Sequence, residues 1–188
     1  DENKIEKAIT KKTKAIMIVH WSGRPCELKK IRTICKKFKL KLIQDSCHAI
    51  DAKYRGKSIV KYGDICTYSM HPLKNLNIWG DGGFILSQNK LLVKKIQLLR
   101  NHGLVNRDKC SVFGFNSRLD TIQAVVANFK LKNKLNKITE MRIQNAKLFD
   151  KLLSNVPKIQ LVKREKHLKE VFHLYQINLE KIDNLMKY

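Results

Sequence analysis

Apolar and polar positions change their period several times along this chain, and each change marks an element. Residues 15–21, AIMIVHW, form a short continuous apolar run rich in β-branched side chains, which predicts a buried strand. Gly23 and Pro25 break it, and ELKKIRTICKKF (27–38) then sets Leu28, Ile31, Ile34, Cys35 and Phe38 at helical spacing. LKLIQDS (40–46) reads as a strand again. A strand, a helix and a strand within about thirty residues make a βαβ unit, which implies a parallel sheet with right-handed crossovers. DICTYSM (64–70) and GGFILSQ (82–88) are further strand candidates. NKLLVKKIQLLRNHG (89–103) predicts a helix with Asn89 as N-cap and Gly103 as its stop. From Arg118 the pattern is helical for most of the stretch before Pro157, through Leu131, Leu135, Ile138, Met141, Leu148, Leu152 and Leu153. A helix of that length crosses between layers or domains. IQLV (159–162) and FHLYQINL (172–179) are the last strand candidates.

Composition sets the class. The 188 residues are 43% hydrophobic and 29% charged, which fits a soluble globular domain with a real core. No apolar stretch approaches the roughly twenty residues of a membrane span, so no membrane partner is expected. The opening DENKIEKAIT has no apolar h-region and is not a signal peptide. The net charge of +23 raises nucleic acid as a partner. The basic residues are mostly lysines spread along the whole chain, without an arginine-rich run, aromatic interleaving or zinc-finger spacing. A general lysine bias therefore accounts for the charge, and nucleic acid is not expected. Five cysteines, an odd number with no C-x-x-C pair, argue against a disulfide framework or structural zinc and for reduced thiols in a cytoplasmic protein.

Within this lysine-rich background YSMHPLKNLNIWGDGG (68–83) frames one lysine, Lys74, unlike the others. Open α/β sheets place ligands at the carboxyl ends of their strands. Asp45 ends the second predicted strand, and Ser69 to Lys74 end the third, so two distant stretches of sequence point to one place. A lysine amine can form a Schiff base with a carbonyl, and a carboxylate can keep a pyridine nitrogen protonated, which are the two protein-side requirements of pyridoxal phosphate chemistry. Taken singly the residues have plainer readings. Asp45 suits a turn cap, His48 and His71 suit polar positions near strand ends, Asn116 suits a helix cap, and Asp81-Gly82-Gly83 suits a turn.

Their joint occurrence, in order, resembles the DegT/DnrJ/EryC1/StrS family of sugar aminotransferases, which are fold-type I pyridoxal phosphate enzymes. The resemblance runs from TKKTKAIMIVHW through RNHGL and on through FGFNSRLDTIQAVVANFKLKNKL. Its most specific piece is Ser-x-x-x-x-Lys-Asn followed by Gly-Asp-Gly-Gly. It implies an α/β fold, a mostly parallel sheet flanked by helices, with residues 1–130 in the cofactor-binding large domain, 131–156 as a long connecting helix, and 157–188 as the start of a small domain. Lys74 matches the Schiff-base lysine, which also moves the substrate proton. Asp45 matches the carboxylate facing the pyridine nitrogen. His48 falls where the family has Gln or His beside the ring and its 3-oxygen. Ser69 matches a hydroxyl that binds the cofactor phosphate, and Asn116 an asparagine that reaches the phosphate across a dimer interface. Gly82 and Gly83 match the tight turn behind the lysine loop.

The activity so implied is transamination of a nucleotide-linked keto-sugar with an amino acid donor, usually glutamate, by a cytoplasmic homodimer serving cell-surface polysaccharide biosynthesis. A sugar dehydratase of the same family is the alternative, but those relatives replace the lysine with histidine. A non-catalytic basic binding or regulatory fragment is the alternative from another class. Family members begin with a Gly/Ser/Thr phosphate loop and a ring-stacking aromatic and continue through a whole small domain. This sequence has none of these, so it reads as a fragment, expected by itself to bind the cofactor weakly or not at all.

Overall fold

A computed structural model describes residues 1–179. A one-turn helix, α1 (Ile5–Ala8), precedes strand β1 (Ala15–Val19). Helix α2 (Leu28–Lys37) follows, then β2 (Lys41–Asp45). Two short strands, β3 (Lys53–Tyr54) and β4 (Lys57–Ser58), lead to β5 (Ile65–Ser69) and β6 (Gly83–Leu86). Helices α3 (Lys90–Leu99), α4 (Thr121–Asn133) and α5 (Leu135–Leu153) come next. Strands β7 (Ile159–Leu161), β8 (Leu168–Lys169) and β9 (Ile177–Leu179) complete the described chain.

The main sheet has the order β1-β2-β5-β6. The first two pairings are parallel, with Val19 opposite Asp45 and Asp45 opposite Thr67. The last is antiparallel, with Ser69 opposite Gly83. The sheet is thus mostly parallel, and β6 is the exception: a period-2 pattern carries no direction, and the intervening loop returns to the same edge instead of crossing over. As a result the ends of β1, β2 and β5 and the start of β6 share one edge.

Helix α2 meets the pattern that predicts it. Leu28, Ile31, Ile34 and Cys35 turn inward, and Leu28, Ile31 and Cys35 pack with Ile18, Leu42, Tyr54, Ile59 and Val171. Arg32 and the Leu42 N–H both bond the Asp64 carboxylate at 2.8 Å, which fastens the helix to β2. Three buried polar side chains lie beneath the carboxyl edge in an order that their backbone partners dictate. The Cys26 N–H donates to His20 Nδ1, so His20 Nε2 donates to Gln44 Oε1 at 2.8 Å. Gln44 Nε2 in turn donates to the Ile59 carbonyl and Cys66 Sγ. Burial holds His20 below the usual imidazole range, and the ring stays neutral inside the core.

Asn89 caps α3 as expected, accepting the N–H groups of Leu91 and Leu92, and Gly103 adopts the left-handed conformation with φ +71°. The long helical stretch differs from the expectation of one helix. It breaks at Lys134, whose φ of −125° interrupts the run, while the Asn133 amide bonds the Phe129 carbonyl at 2.8 Å. Beyond the break, Leu135, Thr139 and Ala146 are buried. Of FHLYQINL only Ile177–Leu179 is a strand, paired with β7. Residues 172–176 form an irregular segment that proves central to the site.

Candidate active site

The loop from Met70 to Gly82 stands on the carboxyl edge of the sheet. Met70 donates to the Gly82 carbonyl at its base and Ile78 to the Met70 carbonyl within it. Met70, Leu76 and Ile78 pack against Leu135, so the loop has its own small core. Lys74 lies between exposed Leu73 and buried Asn75 and is itself half-buried. Its backbone N–H donates to the His71 carbonyl at 2.8 Å. Among the described residues, no carboxylate pairs with its ammonium.

The structure brings four of the five predicted site residues to this edge. Asp45 ends β2, and its Oδ1 accepts the Cys47 N–H at 3.0 Å, which orients the carboxylate. Ser69 ends β5, and its Oγ accepts the His71 N–H at 3.3 Å, so the hydroxyl proton is left to donate elsewhere. His48 Nδ1 accepts the Ser22 N–H at 3.3 Å. Burial first, and the charge of Lys74 next, hold His48 below the usual imidazole range, while Asp45 opposes them. The fifth residue, Asn116, is elsewhere. It is exposed, bridges Asn101 and accepts from Arg118 Nε, and no hydrogen bond joins it to the other four.

Three further residues enter that sequence reasoning missed. The Trp21 indole lies 5.2 Å from the His48 ring, and the His173 ring packs on His48 at 4.2 Å. Burial, then His48, Lys74 and Arg142 in that order, push His173 down to about 4. Cys47 sits between Asp45 and His48. Burial, with the Asp45 bond and charge, pushes its thiol up to about 11, so it stays protonated and poorly nucleophilic. His173 gave no local signal, because 98 residues separate it from Asn75, the side chain it bonds. Only tertiary structure joins them.

The DegT/DnrJ/EryC1/StrS aminotransferase family model matches residues 1–188. The chain belongs to this family. It is 37% identical over its whole length to a pleiotropic regulatory protein of Geobacillus stearothermophilus, of which it covers 51%. It is 35% identical, again over its whole length, to a dTDP-3-amino-3,6-dideoxy-alpha-D-galactopyranose transaminase of Aneurinibacillus thermoaerophilus, covering 51%. The crystal structure of S. venezuelae DesV in complex with a ketimine intermediate superposes with a TM-score of 0.94 at 31% identity, over all of this chain and 50% of that one. The chain spans about half the length of the relatives it matches. The α/β fold is shared with solved structures of this family.

The edge fits the protein side of a pyridoxal phosphate site on its own chemistry. It offers a half-buried primary amine without an ion-pair partner among the described residues, a carboxylate oriented by a backbone N–H, and a hydroxyl with its proton unspent. Two imidazoles beside the amine add no positive charge.

Proposed function

We propose that this chain is the lysine-bearing part of a pyridoxal phosphate-dependent aminotransferase that acts on a nucleotide-linked keto-sugar, with an amino acid, glutamate by resemblance, as donor. The observation that supports this most directly is the placement of Lys74 and Asp45 on one strand edge in a chain of this family. Bound there, the cofactor would supply an aldehyde for the lysine and a ring that accepts electron density. Lys74 would hold the aldehyde and, with its amine freed by the donor, would take and return the proton at the substrate carbon. Asp45 would keep a proton on the ring nitrogen. Ser69 donates its hydroxyl to the phosphate. His48, with its Nδ1 committed to Ser22, would offer its Nε2–H to the ring oxygen. Asn116, apart from the other four within this chain, serves the phosphate of a second subunit in a homodimer.

A direct test incubates the complete protein with a nucleotide-linked keto-sugar, glutamate and pyridoxal phosphate. The reading expects an aminated sugar nucleotide and 2-oxoglutarate in equal amounts, both lost in Lys74→Ala. A deoxy-sugar product, or turnover unchanged in Lys74→Ala, contradicts it.

A further inference from the structure

The irregular segment 171–174 is held at the site by an unusual density of bonds. The Val171 N–H donates to the Gly23 carbonyl and the Leu174 N–H to the Ser22 carbonyl. Arg142 Nη1, from α5, reaches the carbonyls of Phe172 and His173 at 3.0 and 3.3 Å. Asn75, next to Lys74, donates its Nδ2 to the Val171 carbonyl at 3.0 Å. All of this holds one side chain, His173, against His48.

The backbone partners also fix the proton on each ring. A backbone N–H can only donate, so Ser22 makes His48 Nδ1 an acceptor and leaves the proton on His48 Nε2. A backbone carbonyl can only accept, so Val171 turns the Asn75 NH₂ toward itself and the Asn75 Oδ1 toward His173. That oxygen accepts from His173 Nδ1 at 3.4 Å, which puts the His173 proton on Nδ1 and leaves Nε2 as a lone pair. The two rings in contact therefore carry opposite tautomers.

We propose that His173 is a positioning residue for the lysine site: fixed by Asn75 as the Nδ1–H tautomer and packed on the His48 ring at 4.2 Å, it holds His48 in place with its Nε2–H available to donate. This rests on the aminotransferase reading only for the identity of the acceptor of that N–H, the ring oxygen of the cofactor. The pair also keeps a second cation away from Lys74. The groups facing His173 are His48, Lys74 and Arg142, with Asp45 acting on His48, and burial and the three cationic or basic neighbours all disfavour an imidazolium.

The test uses the complete protein with ¹⁵N-labelled histidine, the His173 signals being assigned by their loss in His173→Gln. Long-range ¹H–¹⁵N spectra at neutral pH should show the Nδ1–H form for His173 and the Nε2–H form for His48, with His173 titrating well below 6.5. An Nε2–H form at His173, or titration at or above an ordinary histidine's value, overturns the proposal, whatever the protein catalyses. Asn75→Asp should raise the His173 titration by at least about one unit, because a carboxylate stabilises the imidazolium. If it leaves the titration unmoved, the proposed fixing by Asn75 is wrong. Modification of Lys74 by pyridoxal phosphate and borohydride should slow roughly tenfold in His173→Lys, which adds the cation, and stay within about threefold in His173→Gln, which does not. Equal slowing in both variants would reduce His173 to a packing role. Failure of the wild type to label at Lys74 would count against the aminotransferase reading alone, since the spectra decide the tautomers without cofactor.

Discussion

His173 shows how much of a site lies outside the reach of spacing. Asp45, Ser69 and Lys74 were legible because each follows an apolar run that predicts a strand, and strand ends meet at one edge, whereas His48 and the roles of all four came only with the family resemblance. His173 follows no such run. It reaches the edge because the backbone of 171–174 bonds Gly23, Ser22, Asn75 and Arg142, none of them near it in sequence. Its burial carries a pH signature. An unfolded histidine titrates at 6.5 and His173 at about 4, so between those values the unfolded chain binds a proton that the folded chain does not. The contribution is intact above about pH 6.5, is lost as pH falls toward about 4, and changes no further below that. Discounted for partial exposure, it amounts to on the order of 1 kcal/mol. Denaturant unfolding of wild type and His173→Gln across this window should show a shallower acid decline in the variant. Parallel declines would show that His173 does not titrate as the structure implies.

At the scale of elements, strands β1, β2 and β5 and helices α2 and α3 were legible, because each is long enough to show its run or spacing of apolar positions. The two-residue strands β3, β4 and β8 have no period to read. The direction of β6 depends on where a loop returns, and the break at Lys134 has neither glycine nor proline to announce it. The turn after β1 is a further case. Ser22 at φ +59° and Gly23 at φ +92° both occupy the left-handed region, and together they carry the backbone that accepts from Val171 and donates to His48. A Cβ on Gly23 would lie 2.8 Å from Val171 Cγ2, 2.9 Å from the His48 carbonyl and 3.0 Å from the Phe172 nitrogen. Two of these are backbone atoms, which cannot swing aside. Gly23→Ala should therefore cost about 2–4 kcal/mol, combining strain with displacement of the segment that holds His173. Thermal or denaturant unfolding measures the loss, and a variant within about 0.5 kcal/mol of wild type would show that the turn relaxes freely.

Across the whole molecule, polar ties and exposed apolar groups divide the surface. Arg164 joins Asp150 of α5 to Glu170, and Glu170 pairs with Arg24 after β1, so the segment following α5 is fastened to the sheet by buried and half-buried charges. Phe113, Phe115, Trp79, Leu73, Ile122 and Val125 are exposed, the first of them completely. The edge strands β1 and β6 also show Met17, Val19, Ile85 and Leu86. Apolar surface on this scale associates, and unpaired strand edges template it. Light scattering on the purified 188-residue chain should report species larger than a monomer at micromolar concentration, and a stable, concentration-independent monomer would contradict this. The net charge of +23 opposes such association at low ionic strength, so added salt should increase it.

The central claim is that one lysine among many is the reactive one, set apart by Asp45 and the loop that carries it. Borohydride reduction of the complete protein with stoichiometric pyridoxal phosphate, followed by peptide mapping, tests it directly. The account predicts one pyridoxyl group per chain on Lys74, absent from Lys74→Ala and weakened in Asp45→Asn. Stoichiometric modification of a different lysine, with Lys74 untouched, would contradict it.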